Sequence, residues 1–195
     1  MTTVYFVRHA TPDRNIGAYT DATFPLSEKG QQDVALVTAF LQDKNIDAVL
    51  SSPFKRSYDT VDDFAKTAKV TVEIIDDFRE RAVGHEWIED FKAYGEAQWA
   101  DYSYKLPGGE SLSEVEARNI AALNDVLVRY EGKNIVVGTH GTALSTILMY
   151  YGPHITFDEW NVMPMPWIAK MTFEGKALTT VEKIDLFKPN EVNNV

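Results

Sequence analysis

Two histidines and two arginines stand where short apolar runs of this chain stop. Val-Tyr-Phe-Val at 4–7 is followed by Arg8 and His9, and Ala-Val-Leu at 48–50 by Ser51-Ser52-Pro53, with Arg56 one helical turn further on. Ile-Val-Val at 135–137 is followed by Gly138-Thr139-His140-Gly141. Guanidinium forks bind phosphoryl oxygens in bidentate fashion, and a neutral imidazole can attack phosphorus. In open α/β sheets, ligands gather at the carboxyl ends of strands. If these three ends share one sheet edge, they form a site for a phosphoryl group. Each charged hydrogen bond is worth roughly 1.5–3 kcal/mol. Four or five of them could offset the cost of drawing a dianion to a chain of net charge −10.

The intervening sequence supplies the elements that must hold these ends together. Ser27 and Glu28 open an amphipathic helix with Val34, Leu36, Val37, Phe40 and Leu41 at helical spacing. Pro53 begins a second helix running to about residue 68, and 70–75 read as a third strand. Ser111 and Glu114 form a capping box for a helix that Gly132 ends. Another helix spans about 142–150, and 167–173 with 177–181 read as two late strands joined by a turn. Strands alternating with helices predict a layered α/β fold, helices on both faces of a mostly parallel central sheet, in one domain over 1–195. Residues 76–110 mix acidic and aromatic groups without clean periodicity and are expected to form an inserted cover. The tail at 188–195 is polar and expected to fray.

Composition narrows the function classes. The 195 residues hold 19 basic and 29 acidic side chains, a poor basis for binding nucleic acid or an anionic membrane. The chain has no cysteine, which removes disulfide frameworks, thiolate metal sites and thiol nucleophiles. No apolar run approaches the roughly 18 residues of a membrane span, and no targeting segment is evident at the N-terminus. A cytoplasmic location is the expectation.

The chain resembles the histidine phosphatase superfamily, also called the phosphoglycerate mutase-like family. The resemblance rests on five blocks in the family's order: Arg8-His9-Ala10 with Asn15; Pro25-Leu26-Ser27-Glu28-Lys29-Gly30; residues 51–60 from Ser51 to Thr60; Pro107-Gly108-Gly109-Glu110-Ser111; and Gly138-Thr139-His140-Gly141. It implies the phosphoglycerate mutase-like fold, with His9 as the nucleophile that becomes phosphohistidine. It also implies that Arg8, Arg56 and His140 form the positive pocket, with Asn15 and the Gly141 amide as further donors. The family's general acid follows the third strand, which selects Glu80, with Asp76, Asp77 and Glu86 as neighbouring competitors. Ala10, Thr11-Pro12 and Phe24 depart from the family pattern, bearing on the substrate more than on the chemistry.

Taken singly, these residues have structural explanations: a strand-end histidine can be a hydrogen-bonded core residue, and Asn15 can cap a turn. His85 and His154 match no block. Trp87, Phe91, Tyr94, Trp99, Tyr102 and Tyr104 read as packing for the cover, and exposed aromatics leave room for a homodimer. The combined expectation is a phosphatase that hydrolyses a small phosphorylated metabolite, a phosphate monoester, without a metal or other cofactor. The alternatives are phosphoglycerate mutase-type transfer, against which the absence of an Arg-His-Tyr-Gly-type motif after Glu80 argues, and a non-catalytic phosphate-binding module.

Overall fold

The computed structural model describes residues 1–14, 20–84, 88–152, 154–188 and, for the backbone, 192–194. The strands are β1 (Thr2–Arg8), β2 (Ala48–Ser51), β3 (Val72–Ile74), β4 (Asn134–Thr139), β5 (Trp167–Glu174), β6 (Ala177–Ile184) and β7 (Val192–Asn194). The helices are α1 (Glu28–Leu41), α2 (Lys55–Ala68), α3 (Phe91–Ala100), α4 (Leu112–Arg129), α5 (Gly141–Tyr151) and α6 (Phe157–Val162). All seven strands lie in one sheet, in the order β3-β2-β4-β1-β5-β6-β7. The first four run parallel, and β5, β6 and β7 extend the sheet antiparallel.

The period of two along the strands sorts the core into two layers. Val4, Phe6, Ile135 and Val137 face one cluster with Leu123, Leu127, Leu144 and Ile147 of α4 and α5. Tyr5, Val7 and Val136 face the other, with Val37, Leu41, Val61 and Phe64 of α1 and α2. Helices therefore cover both faces, and the carboxyl ends of β1, β2 and β4 emerge side by side. Their register is direct: Arg8 lies opposite Thr139, and Ser51 opposite Gly138.

The capping signals place the helices as expected. Ser27 accepts from Gly30 N–H at 3.1 Å, and Ser111 with Glu114 closes a reciprocal capping box. Three local readings differ from the expectations. The third strand is shorter than 70–75, because Lys69 adopts a left-handed conformation that ends α2 and the chain needs residues to turn back. The short α6 has no counterpart among the expected helices, since its six residues carry too few periodic positions. The tail expected to fray instead pairs over Val192–Asn194 with β6, whose outer edge would otherwise leave backbone groups unpaired.

Within 76–110, a 3-10 turn at Asp76–Phe78 precedes a stretch without regular structure and then α3. Trp99 of α3 lies 4.9 Å from Trp160 of α6 between ring centroids and donates to the Ile155 carbonyl at 2.9 Å. No helix among the described residues is long and apolar enough to cross a membrane.

Candidate active site

His9 follows β1 directly, and its N–H continues the ladder to the Thr139 carbonyl at 3.1 Å. Its Nδ1 lies 2.7 Å from the Ala10 carbonyl oxygen. A carbonyl only accepts, so Nδ1 carries the proton and the lone pair that can attack phosphorus is on Nε2. Arg56 Nε–H donates to that lone pair at 3.2 Å. Burial and the Arg56 charge, with smaller contributions from Arg8 and Arg14, outweigh the bond to Ala10 and hold the His9 pKa well below 6.5. The ring is therefore neutral at physiological pH. A neutral imidazole of fixed tautomer beside guanidinium groups has the form of a nucleophile for an anionic electrophile.

The other strand-end residues close around it. Arg8 donates from Nη1 to the Met163 carbonyl at 2.5 Å, and burial lowers its pKa to about 10, so it stays a cation. Gly141 packs against this guanidinium: a Cβ there would lie 3.1 Å from Arg8 Cζ and Nε, too close for any other residue without a shift. Arg56, on the first turn of α2, also donates from Nη1 to the Asp21 backbone and pairs with its carboxylate at 3.1 Å. The His140 ring lies 5.2 Å from that of His9 between centroids, and its Nε2 is 2.8 Å from Ser52 Oγ. Burial, followed by Arg56 and His9, holds the His140 pKa well below 6.5.

Two buried polar atoms here have no partner among the described residues: Arg8 Nε and His140 Nδ1. Buried polar atoms are nearly always satisfied, so these are natural contacts for ligand oxygens. The N–H of Gly141, the first of α5, adds a donor at the positive end of that helix.

Glu80 reaches the same place from the irregular stretch after β3. Its carboxylate accepts the N–H groups of Arg81 at 2.9 Å, Thr142 at 3.1 Å and Ala143 at 3.2 Å, seating it on the N-terminal turn of α5. Its charge bears on Arg8 and on Arg56. Of the competitors, Asp76 and Asp77 pair with Arg79 at 3.1 Å each. Glu86, His85 and Asn15 lie outside the described residues. The structure thus brings together Arg8, His9, Arg56, Glu80, His140 and Gly141.

Several participants were not singled out from sequence. Ser52 sits within a block already marked, and its partnership with His140 follows from adjacent strand ends. Asp21 and Arg14 come from the loop after β1. The Arg14 charge acts at His9 and Arg56 and that of Asp21 at Arg56, but no local pattern distinguishes them from solvated loop residues. A group of three or more histidine, aspartate or glutamate side chains able to hold a metal ion does not occur among the described residues.

The family model of the histidine phosphatase superfamily, branch 1, matches residues 4–179. The chain is 29% identical over 157 residues to phosphoserine phosphatase 1 of Hydrogenobacter thermophilus, covering 72% of this chain and 71% of that protein. It is 31% identical over 163 residues to the metal-independent phosphoserine phosphatase of Arabidopsis thaliana, covering 76% and 68%. The fold superposes on Bacillus stearothermophilus YhfR with a TM-score of 0.76 at 20% identity, covering 92% of this chain and 95% of that one.

Proposed function

The chain belongs to branch 1 of the histidine phosphatase superfamily and is a phosphatase, and we propose from this premise that it hydrolyses a small phosphate monoester through a phosphohistidine on His9. The observation carrying this reading is the neutral, tautomer-fixed His9 ring with its Nε2 facing Arg56. In the first step the Nε2 lone pair forms a P–N bond as the P–O ester bond breaks. Glu80 enters this step as the protonated acid and gives its proton to the leaving alkoxide, which departs as the alcohol. In the second step Glu80 takes a proton from water, the oxygen attacks phosphorus, and the P–N bond breaks to return neutral His9 and inorganic phosphate.

Arg8, Arg56, His140 and the Gly141 N–H are assigned to the phosphoryl oxygens, where fixed donors stabilise the charge that the transition state spreads over them. Asn15 is proposed as a further donor on the resemblance alone. The guanidinium groups beside both imidazoles disfavour a divalent cation at this place, in keeping with metal-independent chemistry.

Phosphoserine, named for two of the relatives, is the first substrate to try. A cytoplasmic setting, where phosphorylated metabolites are abundant, suits a cysteine-free chain. The test is phosphate release from phosphoserine and an aryl phosphate in the presence of EDTA, for the wild type and His9→Ala. Activity that resists EDTA and vanishes in the variant supports the reading. Interconversion of phosphoglycerates faster than phosphate release would replace it with mutase chemistry.

A further inference from the structure

Glu80 lies on a stretch without regular structure, yet proton transfer tolerates little error in the position of its donor. Arg118 of α4 ties down the backbone of this stretch at three carbonyls. Arg118 has five N–H groups, and all five are used. Nε donates to Glu110 Oε1 at 2.8 Å and Nη2 to Glu110 Oε2 at 3.0 Å, a bidentate pair. Nη1 donates to the carbonyls of Asp77 at 2.7 Å and Arg79 at 2.9 Å, and Nη2 also donates to that of Glu80 at 3.2 Å.

Glu110 completes the grip from the other side. Its Oε2 accepts the Ala82 N–H at 2.8 Å, and its own N–H donates to the Ala82 carbonyl at 2.8 Å. Burial opposes ionisation of Glu110, but the bonds from Arg118 and Ala82 outweigh it and hold its carboxyl below the usual range. Gln98 ties the Glu110 carbonyl, at 3.0 Å, to the buried Arg81 guanidinium. Both jaws stand on one rigid support, because Glu110 precedes the Ser111 cap of α4 and Arg118 lies two turns into that helix.

We propose that Arg118 and Glu110 act as a positioning clamp: they fix the backbone from Asp77 to Ala82 and so aim the Glu80 carboxylate at the leaving-group oxygen. Arg118 is a positioning residue, working through Glu80 rather than through contact with substrate. This rests on the reading of Glu80 as the proton donor, and the experiment separates the two claims.

The measure is kcat/KM for an alkyl phosphate, whose leaving group needs a proton, divided by that for 4-nitrophenyl phosphate, whose leaving group does not. This ratio reports the first phosphoryl transfer and is blind to later hydrolysis of phosphohistidine. Glu80→Gln should depress the ratio about a hundredfold, in line with the usual contribution of a general acid. Arg118→Gln should depress it about tenfold or more, with little further loss in the Arg118→Gln/Glu80→Gln double variant. Glu110→Gln, which keeps the shape of the lower jaw, provides a second variant if Arg118→Gln does not fold, and should depress the ratio in the same sense. Equal losses on both substrates in the clamp variants, with Glu80→Gln still selective, would overturn the clamp while leaving Glu80 as the donor. A Glu80→Gln variant with an unchanged ratio would overturn the reading of Glu80 and the clamp with it.

Discussion

The two halves of the site are built by different means. His9 and His140 follow directly from β1 and β4, and Arg8 is the last residue of β1, so all three stand at the ends of neighbouring parallel strands whose ladder runs through Arg8 and Thr139. Arg56 stands on the first turn of a helix packed on the same sheet. Glu80 and Asp21, by contrast, come from segments without strand or α-helix, and long-range side-chain bonds hold them: Arg118 for the one, Arg56 for the other. The difference suggests a division of labour. Phosphoryl chemistry, the same for every ester, sits on the rigid edge, whereas proton transfer and contact with the variable alcohol come from loops, which change without disturbing the sheet.

Substitutions should expose this contrast. His9→Ala should lower phosphatase activity by at least about 10³-fold on every ester, since no other group can form the intermediate; steady-state phosphate release checks it. Arg8→Ala and Arg56→Ala should each cost roughly 10²–10³-fold, again regardless of leaving group, as expected for removing a donor aimed at transition-state charge. On the loop side, losses should depend on the substrate, as set out above for Glu80 and Arg118. A loop-side substitution with equal losses on alkyl and aryl esters would blur the comparison.

A smaller effect is expected at Asp21. Its half-exposed carboxylate occupies Arg56 in the free protein and must yield to an incoming phosphoryl dianion. Asp21→Ala should tighten inhibition by inorganic phosphate about two- to fivefold, the scale of a partly exposed ion pair. Unchanged or weaker inhibition would mean that Asp21 orients Arg56 rather than competing for it.

Stability just below neutral pH probes the rigid half through its two histidines. The folded pKa values of His9 and His140 lie well below 6.5, so the unfolded chain binds more protons than the folded one once pH falls past that point. Their contribution is complete above about pH 6.5 and declines below it, by about 1.4 kcal/mol per pH unit for each ring until the folded pKa is reached. Urea unfolding between pH 7 and pH 5 measures the slope, and His140→Gln should make it shallower. Catalysis should persist well below pH 6.5, because His9 remains neutral there.

How far the sequence predicted this molecule follows the same divide. Strand ends carrying Arg8, His9 and His140 were legible because an apolar run, a chemical residue and a helix signal stand next to one another. The grip on Glu80 was not, since Arg118 and Glu80 are 38 positions apart and an arginine on an amphipathic helix looks like any exposed charge. Glu110 was visible only as part of a resembling block, with no role attached. The short α6 carried a readable capping box in Thr156 and Glu159, but six residues offer too little periodicity to support a helix from pattern alone.

The most direct test of the account is to trap the intermediate. Enzyme mixed with phosphoserine or an aryl phosphate carrying a radiolabelled phosphoryl group, and quenched in alkali during the first turnover, should hold label that is stable to base, lost in acid, and located on the peptide containing His9. His9→Ala should hold none. Label that never forms while phosphate is released in the first turnover, or that resides on a residue other than His9, would contradict the phosphohistidine at the centre of this account.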